Sequence, residues 1–366
     1  EISLGLVGSE MCIRDRYQLC LKAKEMGVEI YCFAWPQGAV CKDIVDHFIP
    51  ISIFEMDEIV KRCREIGVEG VVTNASERCA AVQHYVAEQL NLPCTPYMTF
   101  QKIQNKDFVR EATKGIKGLG KVNVSKGKVV ELLESQPRPF VLKPCRGSAK
   151  RGVNFISKNT VLEDDIVWSD ELFLAEQYIS GQEYSVESIS WNGHHDVIQI
   201  TEKVSTGAPH FAEMEHHQPG IISEAAKRKV YSLIPQILTA VGYVNGASHV
   251  EIKVDAQDNV YLIEVNPRGG GDFISNTLVG LSTDCDYLKE MIRVALGCYV
   301  SRTIHHKAFS GVYFLASQSS RLLPWFEKEE SWMYEKYKKD GILVEANSNY
   351  DHGGYIIYKS NKRINI

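Results

Sequence analysis

The segment from His249 to Gly271, HVEIKVDAQDNVYLIEVNPRGGG, constrains the fold more than any other part of the chain. Two alternating apolar runs flank the turn-forming residues DAQDN, so the pattern predicts a β-hairpin. Because side chains alternate between the faces of a strand, Glu264, Asn266 and Arg268 should share one face. Pairing of the two strands can bring Glu251 onto that same face. The hairpin should therefore gather two carboxylates, an amide oxygen and a guanidinium.

Oxygen ligands of this kind suit a hard divalent cation, and Mg²⁺ typically takes one or two carboxylates and completes its shell with phosphate and water. We therefore predict Glu251, Glu264 and Asn266 as metal ligands. An arginine beside them is what a phosphoryl group in transfer needs, which makes Arg268 a candidate catalytic residue. The alternative is a solvated polar face on an edge hairpin.

Length and composition indicate an ordinary soluble enzyme. The 366 residues should form two or three domains, and the net charge of -5 argues against nucleic acid or an anionic membrane as the main partner. No apolar run approaches the roughly 18 residues of a membrane span, and no signal-peptide core is visible. The ten cysteines form no CxxC pair, which disfavours a disulfide framework and predicts a reducing cytoplasm.

The first third of the chain alternates strand and helix patterns with short connections, which predicts a doubly wound parallel sheet. Residues 3–16, SLGLVGSEMCIRDR, look like a translated sequencing-adapter sequence, so we expect them to be non-native. This α/β domain should span residues 1–100. At the other end, the runs GVYFLA, GILVEA and GGYIIY predict strands of a small β-rich lobe over residues 301–366.

A second region of interest is the strand pattern FVLKP, which delivers Lys143 directly ahead of the loop CRGSAKRGV. Gly147 and Gly152, with Ser148 between them, permit positive φ and close approach of backbone N–H groups to an anion. Arg146 adds positive charge. The loop could therefore fold over phosphates while Lys143 contacts them from a strand, although a plain hairpin turn fits the same pattern. The Walker pattern of a P-loop is absent.

A third region, AEQYISGQE (175–183), could offer backbone N–H and C=O groups to an adenine edge, and Glu183 could accept hydrogen bonds from ribose hydroxyls. The alternative is a surface strand with scattered acidic residues.

Taken in order over residues 17–297, these motifs resemble the ATP-grasp superfamily. The resemblance implies a nucleotide held between two α+β lobes, which we expect at residues 101–178 and 179–300. It implies that Lys106 and Lys143 contact the phosphates and that residues 146–152 form a mobile flap. It also implies that a hinge formed by Glu176, Gln177 and Ile179 contacts the adenine and that Glu183 contacts the ribose. Metal binding is implied for Glu251, Glu264 and Asn266, with Glu264 bridging two Mg²⁺ ions. Arg268 is implied to contact the transferred phosphate.

Within that superfamily, the runs STGAPHFAEMEHHQP (205–219) and NPRGGGDFI (266–274) resemble carboxylate–amine ligases of the L-amino-acid-ligase type, although Glu215 stands where we expect glycine. Zinc binding by His216 and His217 is disfavoured, because adjacent histidines on a strand point apart. We expect one of them, with Glu213, to line the acceptor pocket; a histidine satisfied within a loop is the alternative. Cys145 should be a neutral small residue at the flap root rather than a reactive thiol.

We therefore expect an ATP-dependent ligase that joins a small-molecule carboxylate to an amine through an acyl phosphate, with ATP and Mg²⁺, or Mn²⁺ in its place, as cofactors. Two alternatives stay open. One is a phosphotransferase or carboxylase-type enzyme of the same fold, and the other is a non-catalytic nucleotide-binding module. The resemblance also leaves a homodimer open.

Overall fold

The structure, a computed structural model, describes residues 3–7, 13–147 and 152–366. The first domain contains a parallel sheet of four strands in the order β3-β2-β1-β4. The strands are β1 (Ser3–Val7), β2 (Glu29–Phe33), β3 (His47–Ile49) and β4 (Gly70–Val72). The helices are α1 (Ile13–Glu25), α2 (Met56–Ile66), α3 (Glu77–Gln89) and α4 (Tyr97–Ile103).

Helices cover both faces of this sheet, as predicted for a doubly wound domain. Ile30 and Cys32 on one face are buried against α1, whereas Phe33 and Val71 on the other face pack with α2 and α3. A helix from much later in the chain, Tyr287–Ala295, belongs to the same core as α1 and packs on β4. The first domain and the later part of the chain therefore share one apolar core.

The next lobe is built on a four-stranded antiparallel sheet in the order β5-β8-β6-β7. Its elements are α5 (Lys106–Thr113), β5 (Val124–Gly127), α6 (Val129–Ser135), β6 (Phe140–Pro144), β7 (Asn154–Ile156), α7 (Asp164–Val167) and β8 (Phe173–Gln177). Phe140, Leu142 and Ile156 pack against α6 to form its core. The β6–β7 connection is the glycine-rich loop, so Lys143 lies at the end of a strand that leads directly into it.

The remaining strands form one eight-stranded antiparallel sheet in the order β13-β12-β9-β10-β11-β14-β16-β15. They are β9 (Gln182–Trp191), β10 (His194–Ser205), β11 (Glu213–Gln218), β12 (Gly246–Val254), β13 (Val260–Asn266), β14 (Phe309–Leu315), β15 (Met333–Lys338) and β16 (Gly354–Ser360). The helical segments are α8 (Glu224–Ala240), a π-helical turn (Ile274–Leu278), α9 (Val279–Ser282), α10 (Tyr287–Ala295), two 3₁₀ turns (Ser317–Leu322 and Asn349–Asp351) and α11 (Leu323–Phe326).

The two faces of this sheet differ sharply in chemistry. On one face, Val186, Ile200 and Val250 pack against the apolar side of α8. The other face carries a row of buried polar and charged side chains that crosses β11, β10, β9, β12 and β13. Burying so many charges is costly unless they are paired, so this face is where a site is expected.

The C-terminal region is rich in β-structure, as predicted, and β14, β16 and β15 continue the large sheet from β11. The strand predicted at GILVEA is wrong: residues 341–346 contain no regular strand, and the third strand is Met333–Lys338 instead. Among the described residues, no helix is long and apolar enough to cross a membrane.

Candidate active site

The hairpin predicted from the sequence is present as β12 and β13, and its polar residues meet as expected. Glu251 lies directly opposite Glu264, and Asn266 lies opposite His249. A bulge between Glu251 and Ile252 shifts the register just after the first of these pairs. Both carboxylates and the Asn266 amide therefore lie on one face of the hairpin.

Lys106 connects this hairpin to the glycine-rich loop. Its Nζ lies 2.8 Å from Glu264 Oε1 and donates to the Gly147 carbonyl oxygen at 2.7 Å. Both lysine contacts lie in a cavity that is also lined by Asn266 and by Glu77 of the first domain. The first domain, the lysine-bearing lobe and the β12–β13 hairpin thus converge on one cavity.

Lys143 lies beneath the same region, in a buried ion cluster. Its Nζ lies 2.7 Å from Glu176 Oε2, and Arg110 donates to the same carboxylate through Nε at 2.7 Å and Nη2 at 2.8 Å. Burial alone would raise the pKa of Glu176, but the charges of Lys143 and Arg110 outweigh it and lower the pKa to about 2. Burial lowers the pKa of Lys143, Glu176 opposes this effect, and Arg110 adds to it.

The side chain of Glu176 is therefore the counter-ion that orients Lys143, and only its backbone remains for the adenine contact that the resemblance implies. Arg110 was not predicted as a site residue. It follows Lys106 by four residues on α5, and the guanidinium also donates to the carbonyl oxygens of Leu262 and Ile263 on β13. The spacing of four, which places two side chains on one helix face, was the signal that could have identified it.

The loop after Lys143 has the features of a flap root. Gly147 has φ +139° and Gly152 has φ +71°, conformations that favour glycine. Arg146 is exposed and its Nε lies 3.4 Å from Asn105 Oδ1. Ser148, predicted as a phosphate contact, lies outside the described residues. Burial raises the pKa of Cys145, which agrees with the prediction of an unreactive thiol.

The predicted hinge comprises Glu176 and Gln177, the last two residues of β8, and Ile179 just after the strand. The Gln177 backbone N–H donates to the Asn123 carbonyl oxygen at 2.9 Å, and the Ile179 carbonyl oxygen accepts from Lys253 Nζ at 3.3 Å. Glu183 lies on β9 opposite Lys253 of β12 and Lys203 of β10. The hinge therefore borders the polar sheet face to which the β12–β13 hairpin belongs.

Lys203 is the central cation of that face, and sequence reasoning missed it. Its side chain is 2% exposed, and Nζ lies 2.7 Å from Glu213 Oε1, 2.9 Å from Glu251 Oε1 and 3.7 Å from Glu183 Oε1. Burial opposes its charge, but the three carboxylates raise its pKa well above the usual value. His249 was also missed; it bridges Glu251 and Glu187.

The two adjacent histidines of β11 point to opposite faces, as the zinc argument required. His216 faces the site: Nε2 lies 2.8 Å from Glu213 Oε2, and Nδ1 lies 3.3 Å from the Asp272 carbonyl oxygen. His217 points away and contacts Tyr358 and Glu215. No cluster of three or more His, Cys, Asp or Glu side chains able to hold a metal occurs in residues 3–7, 13–147 and 152–366.

Arg268 lies where the polar face meets the first domain. Its Nη2 lies 3.7 Å from Glu77 Oε1 and 3.4 Å from Asn266 Oδ1, and Nη1 donates to the Gly269 carbonyl oxygen. Its Nε is buried and has no hydrogen-bond partner within the part of the chain that the structure describes. A buried donor without an acceptor is costly, so an anionic ligand is the expected acceptor.

The predicted metal ligands pass a test of donor chemistry. Glu251, Glu264 and Asn266 offer only oxygen, on neighbouring positions of one hairpin face, which fits a hard divalent cation. Each carboxylate is held by a lysine from another element, Lys203 or Lys106. A cation bound there would compete with these lysines for the carboxylate oxygens.

Comparisons with known proteins agree with this geometry. Residues 136–277 match the family model of the ATP-grasp domain. Among curated proteins, the chain is 26% identical over 246 residues to alanine–anticapsin ligase of Bacillus subtilis (strain 168), an alignment that covers 59% of this chain and 52% of the relative. The chain thus spans about half the length of the curated relatives it matches.

Among solved structures, the L-amino acid ligase of Bacillus licheniformis superposes with a TM-score of 0.80 at 21% identity, over 99% of this chain and 94% of that one. The phosphoribosylglycinamide synthetase of Anaerococcus prevotii superposes with a TM-score of 0.75 at 16% identity, over 99% and 94% of the two chains. At such identities these structures show a shared fold.

Proposed function

We propose that the chain is an ATP-dependent ligase that joins a carboxylate to an amine through an acyl phosphate, since residues 136–277 match the family model of the ATP-grasp domain. The observation that carries the proposal is the buried Arg268 Nε, which lacks an acceptor among the described residues and directly follows the hairpin that carries Glu251, Glu264 and Asn266. A carboxylate or a phosphoryl group bound there would complete its hydrogen bonding. The names of the relatives, alanine–anticapsin ligase and L-amino acid ligase, support an amino acid as the carboxylate substrate.

The reaction has two steps. The substrate carboxylate attacks the γ-phosphorus of ATP, so that a new P–O bond forms as the bond to the β-phosphate oxygen breaks and ADP leaves. The amine then attacks the acyl carbon, the C–O bond to phosphate breaks, and the amine loses a proton as the amide forms. The products are the amide, ADP and phosphate.

Phosphoryl transfer depends mainly on positioning and on neutralisation of negative charge. In this proposal Lys143 and Lys106 bind the ATP phosphates, and Arg268 orients the substrate carboxylate and the phosphoryl group. Residues 146–152, of which 148–151 lie outside the described residues, would serve as the flap that excludes water from the acyl phosphate. The backbone of Gln177 and Ile179 contacts the adenine, and Glu183 contacts the ribose.

Glu251, Glu264 and Asn266 are the residues that would hold Mg²⁺, or Mn²⁺ in its place. Two ions could be held here, with Glu264 common to both, and they would neutralise charge on the phosphates. On the acceptor side, Glu213 faces the amine, because it is buried near the start of β11 and its partner His216 contacts the loop after Arg268.

We further propose a cytoplasmic enzyme, which its nine free cysteines among the described residues support. A homodimer is part of the proposal, supported by a solved structure of similar fold, the biotin carboxylase domain of Hydrogenobacter thermophilus 2-oxoglutarate carboxylase, which is described as a dimer.

A screen for ADP release tests the function. ATP and Mg²⁺ are incubated with the protein and with L-amino acids singly and in pairs, and the products are identified by mass spectrometry. We expect ADP release that requires both a carboxylate and an amine, with an amide of the two as product, and loss of this release in Arg268→Met. ADP with a stable phosphorylated compound and no amine requirement would instead identify a phosphotransferase. Binding of ATP without ADP release from any pair would identify a nucleotide-binding module.

A further inference from the structure

A continuous row of buried charges crosses the polar face of the large sheet, and Lys203 lies at its centre. The lysine side chain is only 2% exposed, yet three carboxylates from three different strands surround its Nζ. Two of them have distinct proposed tasks, since Glu251 is a metal ligand and Glu213 faces the acceptor amine. One ammonium group therefore contacts both halves of the site.

The row continues on either side of Lys203 with alternating groups. On the nucleotide side, His249 Nε2 lies 3.2 Å from Glu251 Oε1, and His249 Nδ1 lies 2.6 Å from Glu187 Oε1. On the acceptor side, Glu213 is followed by His216 at 2.8 Å. No two carboxylates along this path are joined directly, because a lysine or a histidine stands between each pair.

Both ends of the row reach the loop of residues 269–272, which differs from the glycine-rich β6–β7 loop. The Gly270 backbone N–H donates to Glu187 Oε2 at 3.2 Å, and the Asp272 carbonyl oxygen lies 3.3 Å from His216 Nδ1. A Cβ atom at Gly270 would lie 2.7 Å from His249 Nδ1, so only glycine permits this close approach. The loop directly follows Arg268, and the row thus holds it at two points.

We infer that Lys203 is a positioning residue that couples metal loading at Glu251 to acceptor binding at Glu213. The inference rests on the proposed function, because the tasks of the two carboxylates come from it. The ammonium of Lys203 is shared between these carboxylates. A change at either carboxylate alters how strongly Lys203 holds the other, and such coupling acts equally in both directions.

The sharing predicts opposite effects of two substitutions on the same measurement. Lys203 competes with a metal ion for Glu251, so Lys203→Met should lower the Mg²⁺ concentration needed for ADP binding. Glu213→Gln removes one of the carboxylates that share Lys203, so the lysine should hold Glu251 more tightly. That variant should raise the Mg²⁺ requirement. We expect about a tenfold change in each case, within the usual range of coupling between sites.

A matched control lies next to Lys203 on the same strand but on the opposite face. Glu202 forms a buried bidentate pair with Arg363, at 2.6 and 2.9 Å. Arg363→Met leaves a buried carboxylate without its cation, as Lys203→Met does. That carboxylate, Glu202, has no proposed role in binding the metal ion. It should lower stability and leave the Mg²⁺ requirement unchanged.

The experiment measures ADP binding to the full chain by calorimetry at a series of Mg²⁺ concentrations, with thermal unfolding recorded for each variant. As a second reading, the half-saturating concentration of hydroxylamine, a small amine probe, is measured in ADP release with the carboxylate found in the screen. Lys203→Met should raise it about tenfold, and Lys203→Arg, which keeps the charge, should restore it towards the wild-type value.

The possible results separate the two ideas. Equal Mg²⁺ requirements in Glu213→Gln, Lys203→Met and Arg363→Met would overturn the coupling and leave Lys203 a purely structural residue. If Lys203→Met does not fold, Glu213→Gln alone decides, since an unchanged Mg²⁺ requirement in it refutes the coupling. Wild-type protein that binds Mg²⁺ and ADP but never releases ADP with a carboxylate and an amine would defeat the proposed function, while the binding comparison would still judge Lys203.

Discussion

Neutralising Glu176 should weaken both the fold and the binding of ATP, because its carboxylate balances two buried cations. A fall of the pKa from 4.5 to about 2 corresponds to about 3 kcal/mol, at about 1.4 kcal/mol per pKa unit. Removal of one partner from a buried ion pair costs about 3–5 kcal/mol in other proteins, which agrees with this value. We therefore expect Glu176→Gln to lower the free energy of unfolding by about 3 kcal/mol near neutral pH.

The loss should depend on pH with a definite sign. A carboxyl group whose pKa is lower in the folded state stabilises the fold above its unfolded pKa, and this stabilisation disappears as the pH falls through the folded value. The difference between wild type and Glu176→Gln should thus be largest above pH 4.5 and shrink towards pH 2. Urea denaturation followed by fluorescence at a series of pH values measures it.

The effect on ATP follows from Lys143. Burial and the charge of Arg110 already lower the pKa of Lys143, and Glu176 is the group that keeps the lysine protonated. Without that carboxylate the lysine should lose its charge more readily, and ATP binding should weaken by about 10- to 100-fold, as for loss of one hydrogen bond to a charged group.

Glu202→Gln is the control for the Glu176 variant, since Glu202 also forms a buried bidentate pair with an arginine and Arg363 lowers its pKa against the effect of burial. It should lower stability without weakening ATP binding. Our reasoning would be wrong if Glu176→Gln lost less than about 1 kcal/mol and bound ATP as the wild type does.

Three further predictions concern single side chains. Glu264→Gln should reduce ATP turnover by about 100-fold or more while the unfolding midpoint changes little, because the side chain is 25% exposed and is a proposed metal ligand; steady-state ADP release and thermal unfolding check this. Lys143→Ala should raise the half-saturating ATP concentration by about tenfold or more, and an effect on thermal stability alone would contradict the phosphate role. Burial lowers the pKa of His84 to about 3, so stability should fall as the pH drops from 6.5 towards 3. His84→Asn, which keeps an acceptor for the Thr95 N–H, should remove that part of the decline in urea denaturation.

The sequence predicted the metal hairpin because its information is local. Alternation of side chains and the turn DAQDN determine which residues of β12 and β13 share a face. All three predicted metal ligands lie within the short run from Glu251 to Asn266. The phosphate lysines were predicted through the family resemblance. The cavity that Lys106 shares with Glu264 is a property of the folded chain.

Lys203 could not be predicted in the same way. In the run ITEKVS it has the pattern of a surface lysine, and nothing local indicates burial. Its environment depends on strand order, because β9 lies between β10 and β12 and brings Glu183 and Glu251 to the same face. A contact between strands so distant in sequence requires the topology of the whole sheet.

The incorrect strand at GILVEA has a related cause. Its apolar residues suggested a sheet position, but Ile342 is 94% exposed and Val344 is 55% exposed. The strand that forms instead, MYEKYK, is rich in charge and lies at the sheet edge, where it pairs only with β16. Charged residues, lysine above all, are usual on edge strands because they discourage pairing with other chains. Apolar content therefore gave the wrong element here.

The cations of the site differ in whether they already have an anionic partner, and this difference bears on which of them stabilises the transferred phosphoryl group. Lys106, Lys143 and Lys203 each have a carboxylate partner in the structure, so much of the gain from pairing their charges is realised before a nucleotide binds. Arg268 instead keeps a buried Nε without an acceptor in the described residues, and Glu77 lies 3.7 Å from its Nη2. The gain from completing its hydrogen bonds is available only when an anion enters the space beside it. Interactions that form only as the reaction proceeds are the ones that accelerate it, which makes Arg268 a better candidate than the lysines for stabilising the transferred phosphoryl group.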